Sequence, residues 1–315
     1  MIKRSVALAV LATLASSAAF AQSSVTLYGR LNTTVERQKT GSTKLTVMQN
    51  NASRIGFKGE EDMGSGLKAG FVLEHRLNSD DGKATGPGFW SRQAEVNLSG
   101  AFGMVRLGTF GSEAQLATGD WVGMHNHDTG TSADALYAYV IRDTNKASYR
   151  TPTIKGLNAE VGVSLGEGAG PRAYDVAANY ELGALKLGAG YAKLDTANQY
   201  SVRALYEMGP VTLAGYVQRD KNNFGNGSRT SGRVAAMYTL GKSEFHVNLG
   251  YAGKVGGAAN TQANQATLAY NYNLSARTKV YAFYTRVDNK AAASYATGTA
   301  GADFSSFAVG VRHNF

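Results

Sequence analysis

Cysteine is absent from the chain, which removes disulfides, thiolate metal sites and cysteine nucleophiles together. Proline is scarce, with only 4 residues, so little interrupts extended backbone. No stretch approaches eighteen consecutive apolar residues, and no transmembrane helix is expected. Acidic charge is in deficit, leaving a formal net charge of +9. Of the 5 histidines, none sits in a recognisable nucleophile motif, so an enzyme's contacting nucleophile, base and acid have no clear source.

What the chain has in quantity is glycine, tyrosine and phenylalanine, at 38, 17 and 12 residues. That balance suits many short strands, tight turns and aromatic girdles. The first residues read differently. Lys3 and Arg4 precede an apolar run from Val6 to Leu14, and Ala19-Phe20-Ala21 ends the stretch. A basic start, a short apolar core and an A-x-A-like end define a secretory signal peptide over residues 1–21, cleaved before Gln22. Lys3 and Arg4 leave with it, so the remainder, 22–315, carries +7 of the +9. Export turns that basic balance away from nucleic acid and towards a bias on whatever approaches the protein.

From Ser24 onward the pattern has a period of two. Val25, Leu27, Gly29, Leu31 and Val35 share one parity, and Thr26, Tyr28, Arg30, Asn32 and Thr34 the other. The alternation recurs around Ile55 and Phe57, Phe71 and Leu73, Val161 and Val163, Val247 and Leu249, and Tyr270 and Tyr272. Short connections are expected near 59–66, 100–103, 152–156, 183–184, 209–210, 241–243 and 275–277. Longer polar ones are expected near 37–44, 79–89, 110–145, 166–172, 195–198, 220–230, 254–261 and 289–302. The two sets interleave and give an all-β fold: a 16-stranded antiparallel transmembrane β-barrel in an outer membrane. The last strand ends on Phe315 and must pair with the first to remove both edges.

The segment at about 110–145 breaks the rhythm. It is polar, lacks sustained periodicity and carries Glu113, Asp120, Asp128 and Asp134. A structureless stretch of that length is uncommon unless functional or disordered. It reads as a third loop that folds into the barrel and narrows the bore. Alternation places Arg30, Arg54 and Arg76 on the lumen face.

By this point the residues resemble a family, the trimeric general porins of Gram-negative bacteria, especially those of the β-proteobacteria. Ser24-Val25-Thr26-Leu27-Tyr28-Gly29 looks like the first porin strand. Ser53-Arg54-Ile55-Gly56-Phe57-Lys58-Gly59-Glu60-Glu61-Asp62, then Gly66-Leu67-Lys68-Ala69, looks like the second hairpin. Ser91-Arg92-Gln93-Ala94, Val105-Arg106-Leu107-Gly108 and the tail Val309-Gly310-Val311-Arg312-His313-Asn314-Phe315 fit the same order.

The resemblance implies a homotrimer among outer-membrane lipids and passive diffusion of small hydrophilic solutes. It implies a terminal strand recognised by the outer-membrane barrel assembly machinery. It also implies a constriction in which wall arginines face acids of loop 3. Carried over, the wall residues are Arg30, Arg54, Arg92 and Arg142, with Arg76 added by alternation. Glu113 and Asp120 are the chosen loop acids, with Asp134 behind them, because the Thr109-Phe110-Gly111-Ser112-Glu113 segment departs from the enterobacterial Pro-Glu-Phe-Gly-Gly motif. An excess of lumen arginine over lumen acid favours anions. Arg92 is contested. Its parity with Ala94, Val96 and Leu98 turns it outward, whereas the resemblance turns it inward and puts Glu95 and Asn97 outside.

No cofactor and no metal site is expected. His125-Asn126-His127-Asp128 lacks further ligands nearby and reads as a solvated loop. Gly162-x-x-x-Gly166-x-Gly168 opens no helix and is set aside as a phosphate loop.

Overall fold

The computed structural model describes residues 24–86, 88–123, 130–168 and 170–315. The leader and the His125–Asp128 motif lie outside these residues. Six strands come first: β1 (Ser24–Thr40), β2 (Thr43–Asn50), β3 (Arg54–Asp62), β4 (Lys68–Arg76), β5 (Gln93–Gly100) and β6 (Gly103–Thr109). The polar segment holds two short helices, α1 (Glu113–Leu116) and α2 (Gly119–Gly123), and a 3-10 turn at Gly130–Ser132. Then follow β7 (Lys146–Arg150), β8 (Leu157–Ser164), β9 (Ala173–Leu182), β10 (Leu185–Leu194), β11 (Ala197–Met208) and β12 (Val211–Lys221). The last five are β13 (Ser228–Leu240), β14 (Ser243–Ala252), β15 (Ala263–Asn273), β16 (Thr278–Asn289) and β17 (Phe304–Asn314).

Every strand is antiparallel to its neighbours, and β17 pairs with β1 from Arg30 opposite Asn314 to Thr40 opposite Phe304. Beyond that ladder, Gly29 and Phe315 exchange backbone hydrogen bonds of 3.0 and 3.1 Å. The Phe315 ring lies over Gly29, where a Cβ would collide with it. The sheet therefore has no free edge.

Seventeen strands make sixteen staves, because β2 pairs with Thr33–Thr40 of β1 while β3 pairs with Ser24–Arg30. The second stave is broken at 51–53, where Ala52 takes a φ of 57°. Asn32 bridges the break. Its side-chain amide donates to the Asn51 carbonyl at 3.1 Å, and its backbone N–H to Ser53 Oγ at 3.0 Å. The strand count thus agrees with the expectation, but several loop lengths do not. The connections expected at 37–44 and 195–198 shrink to Gly41–Ser42 and Asp195–Thr196. Hydrogen bonding continues there after the apolar alternation has stopped.

Alternation along each strand sets the two faces. Leu31 and Val35 are 45% and 48% exposed, while the intervening Asn32, Thr34 and Glu36 are buried. This inverts a soluble protein: the polar face is inside and the apolar face meets lipid. Tyr238, Phe245 and Tyr270 adjoin on the outer face near the short-turn end, with ring centroids 6.5 and 5.2 Å apart. In β5, Glu95 and Asn97 point inward and Ala94, Val96 and Leu98 outward. The placement of Glu95 and Asn97 outside is corrected: buried Glu95 takes hydrogen bonds from Arg106 of β6.

Candidate functional site

Three wall arginines stand side by side. Arg30 of β1 is opposite Arg54 of β3, and Arg54 is opposite Arg76 of β4. Adjacent strands lie about 4.8 Å apart, so the three Cα atoms form a transverse row. Arg30 Nε donates to Asn314 Oδ1 at 3.2 Å, and Arg54 Nε lies 3.5 Å from Glu74 Oε2. Arg92 precedes β5 and so escapes that strand's parity; its guanidinium pairs with the inward Glu74. One carboxylate thus faces two arginines of the cluster. Lys279 and Arg312, opposite each other on β16 and β17, extend the basic wall past the seam. Arg312 was legible on the polar face of the last strand; Lys279 stands at a strand start, where alternation has hardly begun.

Arg142 is corrected as a wall residue. It follows the 3-10 turn on the returning limb of loop 3, and its Nη1 donates to the Pro171 carbonyl at 2.8 Å. It ties loop 3 to the neighbouring loop rather than joining the row.

Loop 3 lies along the inner wall opposite the row. Its outgoing limb packs α1 on β9 and β10, and α2 on β11 to β13. Trp121 lies under the Arg203 guanidinium, 4.2 Å from ring centroid to Cζ. The 3-10 turn reaches β16 and β2. The returning limb hangs from three inward glutamines. Ala135 N–H donates to Gln265 Oε1 at 2.9 Å, and Gln265 Nε2 donates to the Ala133 carbonyl at 2.9 Å. Gln218 grips both backbone groups of Ala138, at 2.7 and 3.1 Å. Gln199 accepts from Val140 N–H at 3.3 Å. A carboxamide carries both donor and acceptor, so it substitutes for a neighbouring strand.

The loop acids serve this attachment. Glu113 Oε1 meets Arg106 at 2.6 Å and Arg150 at 2.9 Å. Arg106 also binds Glu95 at 2.8 Å and Glu160 at 3.0 Å. Asp134 pairs with Arg233 at 2.8 Å and accepts a hydrogen bond from Tyr216. Glu113 and Asp134 are therefore corrected: both are fastened to the wall behind the loop instead of facing the arginine row. Asp120 is half-buried on α2. Asp143, at the loop's base, has its carboxyl pushed above the ordinary carboxylate value by burial, against the pull of Lys146 and Arg76.

A closed barrel, a basic row on one wall and a polar loop strapped to the other describe a narrowed aqueous passage. A family model described as Gram-negative porin matches residues 7–292.

The chain belongs to the Gram-negative porins.

The outer membrane porin protein 32 of Delftia acidovorans is 34% identical over 362 aligned positions, covering 100% of both chains. A major outer membrane protein P.IB of Neisseria meningitidis is 26% identical, over 96% of this chain and 98% of its own. A solved anion-selective porin from Comamonas acidovorans superposes with a TM-score of 0.77 at 28% identity, covering 93% of this chain and 100% of that one. This porin is accordingly an outer-membrane channel for passive diffusion and not an enzyme. One pattern escaped the sequence reading: Gly162-Val163-Ser164-Leu165-Gly166 has the Gly-x-Ser-x-Gly spacing of hydrolase nucleophiles. In the porin, Ser164 ends β8, and its hydroxyl contacts the Arg142 and Thr144 carbonyls at 2.6 and 2.8 Å. It is a loop fastener.

Proposed function

We propose that this porin is an anion-preferring general diffusion pore whose filter is the row Arg30, Arg54 and Arg76, with Arg92 beside it. The reading rests on one observation: the row stands in register, while the loop acids Glu113 and Asp134 are already engaged by wall cations. An anion about 5 Å from one guanidinium gains about 3 kcal/mol at an effective dielectric of about 20, before its hydration loss. Arginine keeps that charge at every relevant pH. Small hydrophilic solutes cross by size, dipolar ones turn with the transverse field, and apolar ones lose hydration without return. The solved relative described as anion-selective supports the same sign. The working unit in this proposal is a homotrimer among outer-membrane lipids. It forms after removal of residues 1–21, and the barrel assembly machinery reads the strand ending in Phe315.

The test is the reversal potential in a planar bilayer under a salt gradient, wild type beside Arg54→Glu. Anion preference that weakens or reverses in the variant supports the filter. An unchanged potential with intact conductance places the filter elsewhere.

A further inference from the structure

A polar recess of about 220 Å³ lies between α1, Trp121 of α2 and the inner wall of β7 to β9. Arg150 ends β7, Asn158 stands second in β8, and Asn179 and Glu181 come late in β9. All four therefore sit towards the short-turn end of the barrel, which is the periplasmic end in outer-membrane barrels. Leu116 and Trp121 give the recess an apolar side. Its volume is about seven waters' share of the liquid, room for one six-membered ring with its substituents.

The lining carries hydrogen-bonding capacity that the protein does not use. Glu113 and Glu160 are taken up by Arg106 and Arg150. Glu181 is exposed, and among the described residues its carboxylate has no hydrogen bond or ion pair. The Asn158 side chain has none either. Asn179 engages only its Oδ1, which accepts from Arg203 Nη2 at 2.9 Å. A free anion meets Glu181 here, and a free cation meets Arg150 and Arg203, so neither sign is favoured. What remains is a mixture of neutral donors and acceptors beside one carboxylate. A hydroxyl both donates and accepts, and several hydroxyls around one ring would use the whole set. The C–H face of such a ring suits Leu116 and the indole. Trp121 is already fixed, because the Arg203 guanidinium covers it at 4.2 Å, and a fixed side chain loses little freedom on binding.

We propose that this recess is a subsite for one neutral monosaccharide in its ring form, held by Asn158, Asn179 and Glu181 against Trp121 and Leu116. It stands across the bore from the arginine row, so a sugar that has passed the filter dwells once more before the periplasm. A site inside a pore must release what it binds. An open recess with a few hydrogen bonds meets that condition.

The chain has 2 tryptophans, and Trp90 lies on the outer face against Phe57 and Phe89. Trp90→Phe therefore leaves Trp121 as the sole indole reporter in the folded protein in detergent. Titration of its emission with D-glucose should saturate. Mannitol, which has the hydroxyls without the ring, and glucuronate, which adds a carboxylate facing Glu181, should bind more weakly. In the same background, Asn158→Ala and Glu181→Ala should each raise the glucose half-saturation about tenfold. If Glu181→Ala fails to fold, Asn158→Ala decides. A response that never saturates overturns the proposal. So does a response equal for glucose and mannitol, or a half-saturation that the variants leave unmoved. The readout is optical and owes nothing to ion flow, so a failure here is separate from a failure of the arginine filter.

Discussion

Gly130, at the turn of loop 3, rests against the carboxamide of Asn51 with no space between them for a Cβ. The turn of loop 3 therefore touches the wall at the break in the second stave. That break begins three residues before Arg54. The position of the loop turn and the position of the central arginine are set by the same short piece of backbone.

Replacing Gly130 with leucine should push the turn off Asn51. The φ of 67° adds strain for any side chain there. Single-channel recording should show larger and noisier steps than wild type, with less anion preference as the passage widens. Steps of unchanged size would mean that the turn does not limit the bore.

Arg106 pairs with Glu95, Glu113 and Glu160 at once. Removing one member of a buried ionic cluster strands the others, typically at a cost of about 3–5 kcal/mol. Arg106→Met should therefore lower the thermal unfolding midpoint and expose loop 3 to protease. A midpoint within error of wild type would contradict the fastening role.

Arg229 is fully buried between loops. It pairs with Asp220 at 2.9 Å and donates to the Leu136 carbonyl of loop 3 at 2.7 Å and to Tyr295 Oη at 3.0 Å. The Phe224 ring lies 3.8 Å from its guanidinium carbon. Arg229→Gln should free the outer loops and loop 3 together, read as brief closures in planar bilayers and a loss of about 2–4 kcal/mol. If closures appear without any fall in stability, Arg229 is not the shared anchor.

Asp143 supplies a pH dependence. Burial raises its carboxyl above the ordinary 3.8, so the folded state takes up a proton before the unfolded chain does. Stability gains from this group as pH falls through the raised value towards 3.8, and its ionisation is costly above that window. Protonation also removes a negative charge near Arg76. Anion preference should then rise on acidification at pH values where ordinary aspartates are still ionised. Asp143→Asn should show the higher preference at neutral pH and lose the step; reversal potentials measured against pH decide it.

Much of the barrel was legible because period two and turn residues are local signals. The break at Asn51–Ser53 was not, since the left-handed Ala52 is an alanine and gives no cue of glycine or asparagine. Loop ends at Arg37–Lys44 misled because apolar patterning stops at the membrane surface while the ladder runs on to Thr40. Parity alone turned Arg30, Arg54 and Arg76 inward; their alignment in one row came from the strand register. The direction of Glu113 and Asp134 did not, because it depends on Arg150 and on Arg233, 99 residues from Asp134 in the chain. Residue type signals charge locally; which way a carboxylate turns is decided by distant partners.

The seam between β1 and β17 joins residues as far apart as Arg30 and Asn314. No earlier pairing can substitute for it, so the sheet keeps two raw edges until the last strand arrives. Such edges recruit other chains, and long-range closure is slow. Until then the polypeptide exposes backbone groups with which other chains can pair. Closure of the ring falls to the last strand, and a chain truncated before β17 leaves β1 and β16 with unpaired edges instead of making a smaller pore.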